Sequence, residues 1–188
     1  MGLMFVGGLL FTNSLQAQIE QGSVLVEPYY GLAATGKAVV AALASTGTTS
    51  STTNLGPVGL RFTYMISEKV GLGIDGNYQN QGVEFTDGTY NYSLSRSVIR
   101  VMLNSHFIFL NEESFQLYGN VGAGYRTSSW TYTSDDPTYT GDSISGLIPV
   151  AIKLGFGGRY MFTKNIGLHA DLNLGGGAYA NGGLSFAF

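Results

Sequence analysis

The stretch VGLRFTYMI, residues 58–66, sets Leu60, Phe62, Tyr64 and Ile66 on one side of an extended chain and Gly59, Arg61, Thr63 and Met65 on the other. Successive side chains of a strand point to opposite faces, so alternation of period two marks a strand between two unlike environments. Working outward, VGLGIDGNY (70–78) opposes Val70, Leu72 and Ile74 to Asp75 and Asn77. Ile99, Val101, Leu103, Phe107 and Phe109 oppose Arg96, Arg100, Asn104 and His106, while Phe115, Leu117, Val121, Ala123 and Tyr125 oppose Gln116, Tyr118, Asn120 and Arg126. Ile148, Val150, Ile152, Leu154, Phe156 and Tyr160 oppose Lys153 and Arg159; Ile166, Leu168, Ala170, Leu172 and Leu174 oppose His169, Asp171 and Asn173. Val24, Val26, Tyr30 and Leu32 oppose Glu27 at the front, and Leu184, Phe186 and Phe188 oppose Ser185 and Ala187 at the end. The pattern predicts about eight strands and no long apolar helix.

Charge tests the phase. Nine of the charged residues fall within these strands: Glu27, Arg61, Asp75, Arg96, Arg100, Arg126, Lys153, Arg159 and Asp171. All lie on the face opposite the apolar one, as expected if the apolar face meets lipid, where a mid-bilayer charge costs about 2–4 kcal/mol. A half-exposed soluble sheet would also segregate charge, but its wet face would be rich in Lys, Glu, Thr and Gln. Here the second face is thin in charge and rich in Gly, Ser, Asn and Ala.

Composition agrees. Charged residues are 11% of the chain, against about 25% in soluble domains, while aromatics reach 13% and glycine 28 positions. A net charge of -3 offers no basic footprint for nucleic acid. With no cysteine there is neither a disulfide framework nor a thiolate metal site.

The opening MGLMFVGGLLFTNSLQAQ has an apolar segment too short to span a membrane, then Leu15-Gln16-Ala17, which resembles a signal-peptidase site. The expected division is an export signal over 1–18, removed, and one barrel domain over 19–188. Three connections, SEK (67–69), NEES (111–114) and TKN (163–165), are short; they alternate with longer ones at about 34–54, 80–94 and 127–146. A short link, GGGAYANGG (175–183), joins the last two strands. Each short turn opens a glycine-spaced strand, a weak hairpin repeat. Short turns at one rim and long loops at the other suit a transmembrane barrel with both ends on the periplasmic side.

An export signal, about eight alternating strands and the terminal GLSFAF together resemble the small outer-membrane β-barrel family of Gram-negative bacteria, the OmpA/OmpX/OmpW-like group. The resemblance implies a closed antiparallel up-and-down barrel, integral to the outer membrane, with lipid and the barrel assembly machinery as partners. It also implies that Leu184, Phe186 and Phe188 form the C-terminal signal read during assembly. Tyr64, Phe107, Phe109, Phe115, Tyr160, Phe162 and Phe188 are expected to belt the short-turn rim, and Tyr30, Tyr78 and Tyr125 the other.

Eight strands enclose a lumen that side chains can fill. Glu27, Arg61, Asp75, Arg100, Lys153, Arg159 and Asp171 are the expected lumen charge network, with Glu27, Arg61 and Asp75 at similar heights and Arg159 beside Asp171. His106 and His169 also face inward near the short-turn rim, with no nucleophile arrangement to make an enzyme and no convincing third ligand for a metal. GNVGAG (119–124) has the wrong spacing for a phosphate loop and opens no helix. No catalytic site and no cofactor are expected. The long loops remain for recognition: the first is rich in Ala, Ser and Thr, and the third offers Trp130, Tyr132, Asp135, Asp136 and Tyr139 as contacts for a glycan, a cation or an extracellular or envelope partner. The expected role is structural or surface-interacting. The alternatives are a narrow channel for small solutes or ions, and a soluble lipocalin-like ligand-binding barrel with its apolar residues inside.

Overall fold

The computed structural model describes residues 19–33, 48–86, 88–138, 142–145 and 149–188. The strands are β1 (Val24–Ala33), β2 (Thr48–Ser67), β3 (Val70–Thr86), β4 (Asn91–Asn111), β5 (Phe115–Ser134), β6 (Asp142–Ser145), β7 (Val150–Met161), β8 (Ile166–Gly175) and β9 (Ala178–Ala187). All pairings are antiparallel, β6 and β7 both run against β5, and β9 returns to β1. Segments β6 and β7 are thus parts of one stave, and the architecture is a closed up-and-down barrel of eight staves. The export segment, 1–18, lies outside the described residues, as do 34–47, Tyr139 and Ile148.

The alternation read from sequence sets the phase of every stave. Leu103, Leu174 and Phe188 point outward at 72%, 76% and 74% exposure, whereas Glu27, Arg61 and Arg159 point inward at 0%. This phase is the reverse of a lipocalin-like barrel, whose Leu, Ile and Phe residues would line the centre, and it excludes that alternative. Tyr64, Phe107, Phe109, Phe115, Tyr160, Phe162 and Phe188 ring the short-turn rim, and Tyr30, Tyr78, Tyr125 and Tyr179 mark the other edge of the apolar band. The short turns are tied by hydroxyls: the Ser67 side chain accepts from the Lys69 and Val70 amides, and Thr163 from Asn165 and Ile166.

The long connections prove shorter than the sequence suggests. Strands β3 and β4 stay paired as far as Thr86 and Asn91, so most of 80–94 is hairpin. Strand β5 continues through Trp130 and Tyr132 to Ser134, and β2 already begins at Thr48. The link 175–183 is a tight turn at Gly176 and Gly177, with β9 starting at Ala178. The extensions were hidden because the pattern changes above the apolar band: on β3 and β4 it inverts, with Val83, Phe85 and Leu94 inward and Glu84 and Ser93 outward, and on β5 Ser and Thr occupy both faces, while the backbone ladder runs on intact. Strand β4, with 21 residues, is about twice the ~9–11 residues a membrane-spanning strand needs. Its outer face turns from apolar to polar between Ile99 and Ser97. Strands β2 to β5 therefore rise as a tall wall above the apolar band, while β8 and β9 stop close to its edge.

The seam between first and last strands is closed by reciprocal main-chain bonds between Val24 and Phe188, each 2.9 Å. The β1–β9 register runs through Val26↔Phe186 and resumes at Tyr29↔Gly183. The skipped positions include Pro28, which has no N–H to give. Opposite it, a Cβ on Gly183 would lie 2.0 Å from the Pro28 carbonyl oxygen, so β9 approaches closely enough to close the barrel only with glycine there. Gly183→Val is expected to destabilise closure by about 1–3 kcal/mol, read as loss of the heat-modifiable folded band on unboiled gels. Gly76→Ala, whose new Cβ has its nearest neighbour at 4.0 Å, should leave that band unchanged.

Candidate functional site in the lumen and at its mouth

The interior is layered. At the short-turn rim Ile19, Leu25, Met65, Ile108, Met161 and Ala187 pack with the Tyr118 ring into an apolar plug. The chain before β1 is held beneath the barrel by Gly22 and Ser23, which bond main chain to main chain with Met65 at 2.8 and 2.9 Å.

Above the plug sits the charged layer. Arg61 donates from Nε to Glu27 Oε2 at 2.7 Å and from Nη1 to Asp171 Oδ2 at 3.0 Å. Arg159 reaches the other Glu27 oxygen, with Nε at 2.8 Å and Nη2 at 2.7 Å, and donates to Gln116. The Ser185 hydroxyl also donates to Glu27 Oε1, at 2.8 Å, and the Tyr118 phenol to Asp171 Oδ1, at 2.7 Å. The Tyr118 ring lies 4.9 Å from the Arg159 guanidinium carbon, 6.0 Å from that of Arg61, and 4.7 Å from the His106 ring. One step higher, Lys153 Nζ donates to Asp75 Oδ2 at 2.8 Å, and the Tyr29 phenol donates to Asp75 Oδ1 at 2.6 Å. Every oxygen of these three carboxylates has a donor. Glu27, Asp75 and Asp171 offset Arg61, Lys153 and Arg159, so this layer is neutral.

The network differs from the expected one in its partners. Glu27, Arg61 and Asp75 are wall neighbours by register, but Asp75 bonds Lys153 instead of Arg61. Arg159 takes Glu27, and Asp171 takes Arg61. Long side chains in a narrow lumen reach across it, so proximity along the wall does not decide pairing. Arg100 stands apart from the carboxylates and donates to Asn77 Oδ1 at 3.1 Å and Gln79 Oε1 at 3.3 Å. Tyr29, Gln116, Tyr118 and Ser185 were missed as network members; their signal was the same inward phase as the charges. His169 Nδ1 lies 3.1 Å from Ser185 Oγ, but that hydroxyl gives its proton to Glu27, so the imidazole must donate to the serine and is not placed to activate it. Among the described residues no three His, Cys, Asp or Glu side chains gather as metal ligands.

At the mouth the β8–β9 turn folds over the lumen. Gly175, Gly176 and Gly177 have φ of 80°, 65° and 95°, the left-handed region that favours glycine. The Gly176 carbonyl accepts from Asn77 Nδ2 at 3.3 Å, and a Cβ on Gly177 would meet Arg100 Nη1 at 2.3 Å. On the opposite side, the inner face of the tall wall carries Arg126 directly across from Arg100. Above them Arg96 lies over the Trp130 ring, 5.0 Å from its centroid. Highest are Phe85, Tyr92 and Tyr132, a cross-strand stack with centroid spacings of 5.3 and 6.1 Å. Trp130 and Tyr132 are thus strand residues, not loop residues. Asp135 accepts from the Asn91 amide and Nδ2 at 2.7 and 2.9 Å, and Asp136 from the Thr138 amide and hydroxyl, so Asp135 clasps the start of β4 to the end of β5 and Asp136 builds a turn at the tip.

This arrangement, with an apolar exterior, an ion-paired interior and closure by eight meandering staves, is that of a small transmembrane β-barrel. Among solved structures the chain is similar to Ail, the attachment invasion locus protein of Yersinia pestis, in complex with the heparin analogue sucrose octasulfate (14% identity, TM-score 0.50, 89% of this chain and 95% of that one). It is also similar to the N-terminal β-barrel domain of Pseudomonas aeruginosa OprF (18%, 0.47, 90% and 99%) and to the outer membrane protein OprG of the same organism (12%, 0.49, 92% and 98%). The chain has the fold of the small outer-membrane barrels. No family model and no curated protein matches it.

Glu27 is shared by two arginines, so Glu27→Gln is expected to leave buried guanidinium charge uncompensated and to cost about 3–5 kcal/mol, measured by urea unfolding of the barrel in lipid vesicles. Glu113→Gln, in an exposed turn, should change stability by less than about 0.5 kcal/mol.

Proposed function

We propose that this chain is an integral outer-membrane protein whose barrel is a closed scaffold and whose activity is interaction at the surface its tall wall presents. The observation that carries this reading is the neutral, ion-paired charge layer, Glu27, Arg61, Asp75, Lys153, Arg159 and Asp171, each no more than 2% exposed. Water or solute crossing the lumen would have to break those ion pairs, and the apolar plug lies beneath them. The outward band, edged by aromatic rings, supplies the lipid-facing surface.

The short-turn rim, which holds both the start of the described domain and Phe188, faces the periplasm in this reading, and the tall wall faces outside the cell. Residues 1–18 serve as the export signal. Leu184, Phe186 and Phe188 are the segment read by the assembly machinery; Leu184 and Phe188 stand outward on the seam strand at 43% and 74% exposure, where a partner can grip them before closure. No residue acts as a catalyst, and partners come from the envelope or the outside.

Membrane fractionation with heat-modifiable gel migration tests residence, and protease cleavage on intact cells should cut in the tall hairpins and spare the short turns. In planar bilayers the wild-type barrel should give no stepwise conductance; regular openings would move the reading to a narrow channel. Phe188→Ala is expected to lower the folded fraction in the outer membrane several-fold while refolding into detergent stays near wild type. Equal loss in both settings would make Phe188 a packing residue only.

A further inference from the structure

Above the apolar band the outer side of the tall wall has a composition of its own. On β4 the positions in phase with Ile99, Val101 and Leu103 are Ser97, Ser95 and Ser93; on β5 the phase of Ala123 and Tyr125 leads to Ser129, Thr131 and Thr133. They stand opposite one another in register, Ser97↔Ser129, Ser95↔Thr131 and Ser93↔Thr133, which makes three rows of paired hydroxyl residues. Those on β5 are exposed and those on β4 half-buried. The lowest row is continuous with the lipid-facing surface. Asn80, the neighbour of Ser97 on β3, donates to the Ser97 hydroxyl at 2.9 Å and to the phenol of the girdle residue Tyr78 at 3.3 Å. Among the described residues no lysine or arginine lies on this outer side; the cations of these strands, Arg96, Arg100 and Arg126, share the opposite phase. Glu84, beside Ser93 on β3, accepts from the Ser51 hydroxyl at 2.8 Å.

This composition narrows what can lie against the face. A freely solvated surface carries about 25–35% charged residues of both signs. Protein interfaces are anchored by aromatic and arginine side chains, and phosphate contacts by cations. Paired serines and threonines supply none of these. They supply short hydroxyls, each able to donate and to accept, set at the strand spacing of ~4.8 Å. The matching chemistry is a second surface of hydroxyls, as on a sugar. Height decides where that sugar comes from. Counting ~3.3 Å per residue at a strand tilt of ~40°, Ser93 stands roughly 15 Å above Ile99. The polar layer of a phospholipid leaflet is about 5–8 Å deep, enough to cover the lowest row alone. The face also looks sideways along the membrane, because it shares the phase of the lipid-facing residues below it. From these observations we infer that the outer side of β4 and β5 above the band docks the sugar headgroups of glycolipids in the surrounding leaflet. Sugar hydroxyls exchange hydrogen bonds with Ser95, Ser129 and Thr131, and no cation takes part. The inference rests on the outward orientation of the tall wall proposed above for its place in the cell, though not for its chemistry.

The test uses the full mature barrel in nanodiscs of phosphatidylglycerol with one glycolipid in both leaflets. That glycolipid is either lipopolysaccharide bearing its core oligosaccharide or the lipid A left when the core sugars are removed. Lipids kept by the barrel after transfer to detergent are counted by mass spectrometry, with heat-modifiable migration checking the fold. The expected result is retention of the core-bearing glycolipid about fivefold or more above lipid A and above phosphatidylglycerol, unchanged by high salt or by a chelator of divalent cations. Ser95→Ala with Ser129→Ala and Thr131→Val should reduce that preference about threefold or more, with the folded band retained. Lys164→Gln, at the short-turn rim, should leave it unchanged. Equal retention of lipid A, loss of the preference in salt or chelator, or a preference unaltered in the triple variant would each overturn the proposal. So would equally tight binding of the free core oligosaccharide to barrels in phospholipid alone, which would make the ligand a soluble glycan. Preference in nanodiscs together with protease-resistant tall hairpins on intact cells would sink the orientation while the contact itself stood.

Discussion

The structure depends on burying six opposite charges where none can reach water. Glu27 lies on β1, Arg61 on β2, Asp75 on β3, Lys153 and Arg159 on β7, and Asp171 on β8; Tyr118 and Ser185 bring in β5 and β9. A buried charge is tolerable only with its partner and its hydrogen bonds in place, and here the partners are supplied by strands far apart in sequence. Arg159 and Glu27 are separated by 132 residues, Arg61 and Asp171 by 110. The layer cannot assemble until the barrel is nearly closed, which makes closure cooperative and, since such distant contacts form late, slow.

The sequence made the wall legible and the interior only partly so. Stave number, closure and the inward phase of all nine strand charges follow from period two, because two solvents as unlike as lipid and a packed polar core select opposite residue types. Strand length does not follow above the apolar band, as in 80–94, where the outer face turns polar and Val83 and Phe85 point inward, so the phase that marks the lower strands is reversed. Which charges pair was also beyond reach. Asp171 was expected beside Arg159 and bonds Arg61 instead, since a residue's phase says which way it points but not whose side chain meets it across the lumen. Tyr118 and Tyr29 carry their role in the phenol oxygen, and nothing in their type separates them from the girdle tyrosines apart from parity.

The interior of the tube changes character with height. Low down, each carboxylate is paired within the chain, and the Tyr118 ring between guanidiniums is sealed from solvent. Higher up, Arg96 and Arg100 bond or stack on neutral groups and the aromatic stack is half-buried. The tall wall is a direct continuation of strands already pinned below.

The unequal height of the staves has a consequence for the shape of the described rim. With β2 to β5 running on above the band and β8 to β9 ending in the glycine turn, the described strands make a shelf with one back wall in place of a ringed cup. The tall wall and the low glycine turn thus give the described rim one high side and one low side.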